Sequence, residues 1–205
     1  GYLTLLKSAE FRKILVLAVV TWAPITAISG LWGGPYLQNA IGLAAEPAGA
    51  VLSLMFVMTL SGGYIFGYLD RRMKSRRRLI FAGAGVSMTS LFVLASMSNP
   101  NAYLAVGLLL LMMFCQQFYI PLAAHMRKIS PDHVLGRAST LLTLVAVAAI
   151  PTMQAAIGAV LDLAAAAGLS VTDQYRVVWA AMGALILLCG LAYATAKDVN
   201  EVDGA

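Results

Sequence analysis

The run LIFAGAGVSMTSLFVLASMSNPNAYLAVGLLLLMMFCQQFYIPLAAHM, from Leu79 to Met126, contains no Asp, Glu, Lys or Arg. A helix needs roughly 20 predominantly apolar residues to cross the hydrocarbon of a bilayer, so the run is about two crossings long. Its middle, Ser98, Asn99, Pro100 and Asn101, is a cluster of turn formers. The stretch predicts two membrane-spanning helices, 79–97 and 102–126, joined by a tight loop.

Outward from this run the pattern repeats. Uncharged stretches extend from Ile14 to Ala45, Pro47 to Leu69, Ala138 to Leu161 and Val177 to Ala196. The first ends in a small or polar tail, Gln38 to Ala45, and its crossing is placed at 14–36. The others give spans at 48–69, 138–161 and 177–196, which makes six. Composition agrees: 60% of the 205 residues are hydrophobic and 11% are charged, against about 25% charged in soluble domains. The mean hydropathy is +0.83. A membrane β-barrel is excluded, because its strands alternate polar and apolar residues over about 10 positions. The expected fold is all-α, a six-transmembrane-helix bundle.

Charge fixes an orientation. Lys and Arg in short loops are retained on the cytoplasmic side. Six spans put Lys7, Arg12, Lys13, Arg71, Arg72, Lys74, Arg76, Arg77, Arg78, Arg127, Lys128, Arg137 and Lys197 on the side of the two termini, and leave Arg176 alone opposite. Five or seven spans would scatter this asymmetry. Both termini are therefore expected in the cytoplasm. The same asymmetry accounts for the net charge of +5, so no nucleic acid is expected as a partner. The lipid bilayer is one, with the Arg71 to Arg78 cluster near anionic headgroups.

Catalytic chemistry requires titratable groups that converge, and the spans offer only His125, at the end of the fourth, read as a solvated interfacial residue. Proton coupling is left without an assigned residue. Cys115 and Cys189 both fall within spans and read as small buried residues. No enzyme activity, cofactor or metal site is expected.

The spans do carry uncharged polar and aromatic stripes. Trp22, Thr26, Ser29, Gly33 and Tyr36 share one helical face. Gln116 and Tyr119 share another with Gln117 beside them, as do Thr140, Thr143, Val147 and Gln154 in the fifth span. Hydroxyls and glycines in such places usually hold helices together. The amides of Gln116, Gln117 and Gln154, with Trp22, Thr26, Trp32, Tyr36 and Tyr119, are expected instead to line a path for a solute, offering hydrogen bonds without fixed charge. Pro24, Pro121 and Pro151 are expected to bend the first, fourth and fifth helices. Gly30 with Gly34 and Gly63 with Gly67 are expected packing faces.

The segment Gly63-Tyr-Ile-Phe-Gly67-Tyr-Leu-Asp70-Arg71-Arg72, followed by Arg76, Arg77 and Arg78 and at once by the next helix, resembles the glycine, aspartate and arginine loop motif of the major facilitator superfamily. The matching copy joins the second and third helices of a half. Phe66 stands where that motif has a glycine, and Gly67 comes one place late. Leu31-Trp32-Gly33-Gly34-Pro35-Tyr36-Leu37 is similar to the first helix of the second half in bacterial permeases of sugar phosphates or anions. Gly136-Arg137-Ala138, with Gln154 and Gly158, fits the same half.

The resemblance covers nearly the whole chain and implies helices seven to twelve of a twelve-helix secondary transporter, arranged as 3+3 repeats. Residues 1–13 would then end the central cytoplasmic linker, 14–196 form the transmembrane domain and 197–205 a cytoplasmic tail. It further implies a bacterial cytoplasmic membrane and alternating access for a small polar or amphiphilic solute. Gly63, Gly67, Asp70, Arg71, Arg77 and Arg137 would form a conformational lock. A second six-helix half would be needed, from the same protein, a separate chain or a second copy. The alternatives are a non-transporting scaffold or assembly subunit and, further off, a membrane-embedded electron-transfer protein.

Overall fold

The computed structural model describes residues 2–73 and 75–197. Among these, six helices are long and apolar enough to cross a membrane: α1 (Ala9–Ala40), α2 (Ala45–Arg72), α3 (Arg76–Ser96), α4 (Ala102–Ile129), α5 (Asp132–Ala166) and α6 (Val171–Ala194). The chain is an integral membrane protein, all-α in its described residues.

The helices outrun the uncharged stretches that announce them, because charge ends a hydrocarbon crossing without ending a helix. α2 keeps Asp70, Arg71 and Arg72 in its last turn, and α3 opens on Arg76, Arg77 and Arg78. α1 continues through the exposed Gln38 and Asn39 to Ala40, past the expected end at 36. Within the expected linker segment, Tyr2–Lys7 is a short helix. Ser8 then caps α1, its hydroxyl accepting from the Phe11 N–H at 3.3 Å. Apart from Lys197, the expected tail lies outside the described residues.

The packing reveals an internal symmetry. α3 packs on α6, α4 on α2 and α3, and α1 on α5 and α6. Exchanging α1 with α4, α2 with α5 and α3 with α6 leaves these pairings unchanged, so the bundle is two three-helix repeats about a pseudo-twofold axis. Side chains obey the same exchange. Arg176, near the start of α6, donates from Nε to the Ala95 carbonyl at the end of α3, at 2.8 Å. Arg77, at the start of α3, donates to the Ala194 carbonyl at the end of α6. Arg77 is as far from Arg176 in the chain as Ala95 is from Ala194. The last carbonyls of a helix lack intrahelical donors and carry the negative end of its dipole, so a guanidinium suits both places.

A third tie closes the basic end. Lys13 Nζ lies 2.7 Å from Glu10 and 2.7 Å from the Thr195 carbonyl, while the Lys197 N–H reaches Glu10 at 2.8 Å. The start of α1 is thus fastened to the end of α6.

Glycines set how closely α4 lies against its neighbours. A Cβ at Gly62 would fall 2.3 Å from the Phe114 carbonyl oxygen, and one at Gly83 would fall 2.6 Å from that of Cys115. Only hydrogen fits at either position. The expected packing face of Gly63 and Gly67 is borne out only in part: a Cβ at Gly63 would lie in ordinary contact, 3.9 Å from Gln117 and Ile120 of α4, whereas Gly67 has no neighbour within 4 Å. The close contact falls one residue earlier. On α1 the closest approach to α2 falls at Gly33, with Leu52 3.2 Å from the position of a Cβ; Gly34 also faces Leu52, at 3.7 Å, whereas Gly30 meets no residue of α2 within 4 Å.

Candidate functional site

Pro24 and Pro121 lack the N–H that would continue a helix, and each breaks its own. In α1 the regular helix stops at Ala18 and resumes at Ala23. In α4 a 3₁₀ turn, Gln116–Phe118, separates Ala102–Cys115 from Tyr119–Ile129. The symmetry exchanges α1 with α4, and each proline follows an aromatic residue by two positions, Trp22 and Tyr119. α1 is further loosened by two π-helical turns, Ile28–Trp32 and Tyr36–Ala40, which the sequence reading missed. Such turns gather at functional sites. Pro151 sits on an exposed face of α5, and the helix Leu135–Ala166 continues through it.

The two breaks meet. The rings of Trp22 and Tyr119 lie 4.6 Å apart, centroid to centroid, and the Tyr119 hydroxyl is 3.3 Å from that of Thr143 on α5. Beside them Ser139, Thr140, Thr143, Leu144 and Val147 form a shallow open depression. Thr26 is half-buried on the same stripe, its hydroxyl donating to the Trp22 carbonyl at 2.9 Å. Trp32 lies across α5, its indole N–H donating to the Gln154 carbonyl at 3.2 Å and its ring 3.3 Å from where a Cβ at Gly158 would be. Gln154 itself is half-buried.

Three residues expected on the solute path are engaged in packing. Pro24 leaves the Val20 carbonyl without its helical donor, and the Gln116 amide nitrogen donates to that carbonyl from across the bundle. Gln116 is fully buried and its Oε1 has no partner, so the expectation that it faces a solute is corrected. Gln117 packs on the glycines of α2, its Cγ 3.0 Å from where a Cβ at Gly62 would be. Tyr36 is only 2% exposed and is held edge-on by Tyr175 at 5.1 Å and Trp179 at 5.0 Å, tying α1 to α6. The expected set therefore divides into a surface group of Trp22, Tyr119, Trp32, Thr26 and Gln154, a buried pair of Gln116 and Tyr36, and Gln117, half-buried against α2.

His125 is also corrected. It is 1% exposed, with Nδ1 2.6 Å from the Tyr193 hydroxyl of α6. Uncharged residues on either side gave no sign of this buried contact.

In the loop of the glycine and arginine motif, Asp70 pairs with Arg76 (Nε to Oδ1, 2.9 Å), and the carboxylate side chain is 10% exposed. Arg71 is exposed, Arg77 belongs to the clamp on α6, and Arg137 is exposed near the start of α5. Phe66, in the place of the motif's glycine, is buried with its ring against Gly83 and 6.4 Å from that of Phe114.

The bundle superposes on the inward-open conformation of the xylose transporter XylE from E. coli with a TM-score of 0.67, at 15% sequence identity. The match covers 92% of this chain and 47% of that one. The fold is that of a major facilitator half. No protein-family model matches the chain, and no curated protein matches it in sequence. The chain thus spans about half the length of the transporter it resembles. In this fold, the matched breaks of α1 and α4 bring Trp22, Tyr119 and Thr143 together next to an open surface.

Proposed function

We propose that the chain is one half of a secondary carrier that moves a small, uncharged polar solute by alternating access. A second six-helix half would cover the face that carries Trp22, Tyr119 and Thr143. The observation behind this reading is the meeting of the two symmetry-related breaks at the Trp22–Tyr119 pair. Carriers built from repeats place their solute where discontinuous helices meet at the repeat interface. There the aromatic rings offer apolar faces for stacking, and Thr143 and Tyr119 offer hydroxyls. No ionised side chain belongs to this group, which favours a neutral solute over an anion or cation.

In this reading the basic end faces the cytoplasm of a bacterial cell, with both termini there, and the Asp70–Arg76 pair with Arg71 and Arg137 forms the lock that one conformation releases. The partner half comes from the same protein, a separate chain or a second copy.

The test is two-sided labelling. Thr143→Cys, in a background where Cys115 and Cys189 are replaced by Ala, is placed with the partner half in sealed vesicles. A membrane-impermeant maleimide is then applied from each side in turn. Alternating access requires labelling from both sides. Labelling from one side only, or from neither, rejects it. The packing of Gln116 and Gln117 between helices favours a second reading, a non-transporting membrane subunit, which the same experiment would leave unlabelled on one side at least.

A further inference from the structure

Gly83 turns one flank of α3 toward α4. On the other flank, α3 and α6 leave a groove walled by Phe81, Gly85, Met88, Leu187, Gly190 and Leu191. The glycines open it: a Cβ at Gly85 or Gly190 would meet nothing within 4 Å. Farther along, the two helices close on each other, where Phe92 lies 3.1 Å from the position of a Cβ at Gly183.

The other end of the groove reaches the basic end of the bundle at Arg77. This guanidinium donates to the carbonyl of Ala194, itself a wall residue, and lies 5.6 Å over the ring of Phe81. A guanidinium has five N–H donors, more than one carbonyl uses. Among the described residues no carboxylate pairs with Arg77, since Asp70 takes Arg76 and Glu10 takes Lys13. Arg78, next on α3, is exposed.

The feature is an apolar channel along a membrane-spanning helix pair that ends, where the chain leaves the hydrocarbon, on positive charge that no carboxylate among the described residues pairs. Both halves of that description specify the occupant. An acyl chain fits the channel, and the charge at its end complements an anionic headgroup at the depth where headgroups lie. We propose that the groove between α3 and α6 binds one acyl chain of an anionic glycerophospholipid whose phosphate is held by Arg77 and Arg78. The site needs only that the helices cross a bilayer, so it stands or falls apart from the transport reading.

The test compares phosphatidylglycerol with phosphatidylcholine of the same chains, added to the purified protein in neutral detergent, with bound lipid counted by native mass spectrometry and stability followed by thermal unfolding. A basic residue near an anionic surface is worth about 1 kcal/mol, so phosphatidylglycerol should be retained about fivefold better. Gly190→Leu fills the groove while leaving the Arg77–Ala194 bond in place, and Arg78→Gln removes charge without touching the clamp. Both should lose the preference. Arg176→Gln, at the opposite end of the same helix pair, should keep it. Equal retention of the two lipids overturns the proposal. So does an undiminished preference in Gly190→Leu, or stabilisation by inorganic phosphate equal to that by phosphatidylglycerol, which would make the site one for a free anion.

Discussion

Replacing Gln116 by Leu tests how the bundle accommodates its first proline. The substitution removes the donor that satisfies the Val20 carbonyl, and that carbonyl is buried with the rest of Val20. Leaving a buried polar group unmade costs about 1–3 kcal/mol. Loss of Oε1, a buried acceptor without a partner, offsets part of this. The net destabilisation is about 1–2 kcal/mol, above the ~0.6 kcal/mol average for interhelical hydrogen bonds in a membrane bundle and near the ~1.7 kcal/mol maximum, because the Val20 carbonyl has no helical donor to fall back on. Pro24→Ala supplies the control, because residue 24 then regains an N–H four positions beyond Val20. In that background Gln116→Leu should cost about 1 kcal/mol less, an interaction that a double-mutant cycle isolates. The assay is reversible unfolding in mixed micelles followed by circular dichroism. Equal cost of Gln116→Leu in both backgrounds would refute the reasoning, since Val20 would then not be the group that Gln116 serves.

Three other outcomes follow from the packing. Arg77→Ala and Arg176→Ala each free a helix-terminal carbonyl and should destabilise by a similar ~1–2 kcal/mol in the same unfolding assay, unequal effects arguing against the clamps being equivalent. Gly83→Ala pushes a methyl against the Cys115 carbonyl and should cost about 1–3 kcal/mol or abolish folded yield, whereas Gly67→Ala, in open space, should be silent by size-exclusion chromatography. Asp70→Asn releases Arg76 and should shift the balance of inward and outward accessibility with modest loss of insertion; unchanged transport and unchanged accessibility of cysteine probes would dismiss the lock.

The six helices were legible because hydrocarbon imposes a length on every crossing, and the long run from Leu79 to Met126 could be divided only at Ser98 to Asn101. The repeat was harder to see. It rests on relations such as Arg77 with Ala194 and Arg176 with Ala95, which no hydrophobic pattern encodes because backbone carbonyls leave no trace in a sequence. The candidate site was legible in part. Helical spacing placed Trp22 and Tyr119 on faces but could not say which faces would meet, and it could not tell a glutamine turned to the surface from one turned inward. A signal for Gln116 did exist: Pro24 marks the Val20 carbonyl as lacking a donor, and a nearby buried amide is the natural remedy. Tyr36 lay beyond such reasoning, since its burial depends on Tyr175 and Trp179 at the start of a helix far along the chain.

The central claim, that this chain is one half of a carrier, is tested most directly by determining the structure of the protein in lipid nanodiscs. A second six-helix bundle packed across the face of Trp22, Tyr119 and Thr143, with a solvent-filled gap between, is the result expected. Lipid lying against that face, or a dry interface closed over it, would contradict the account.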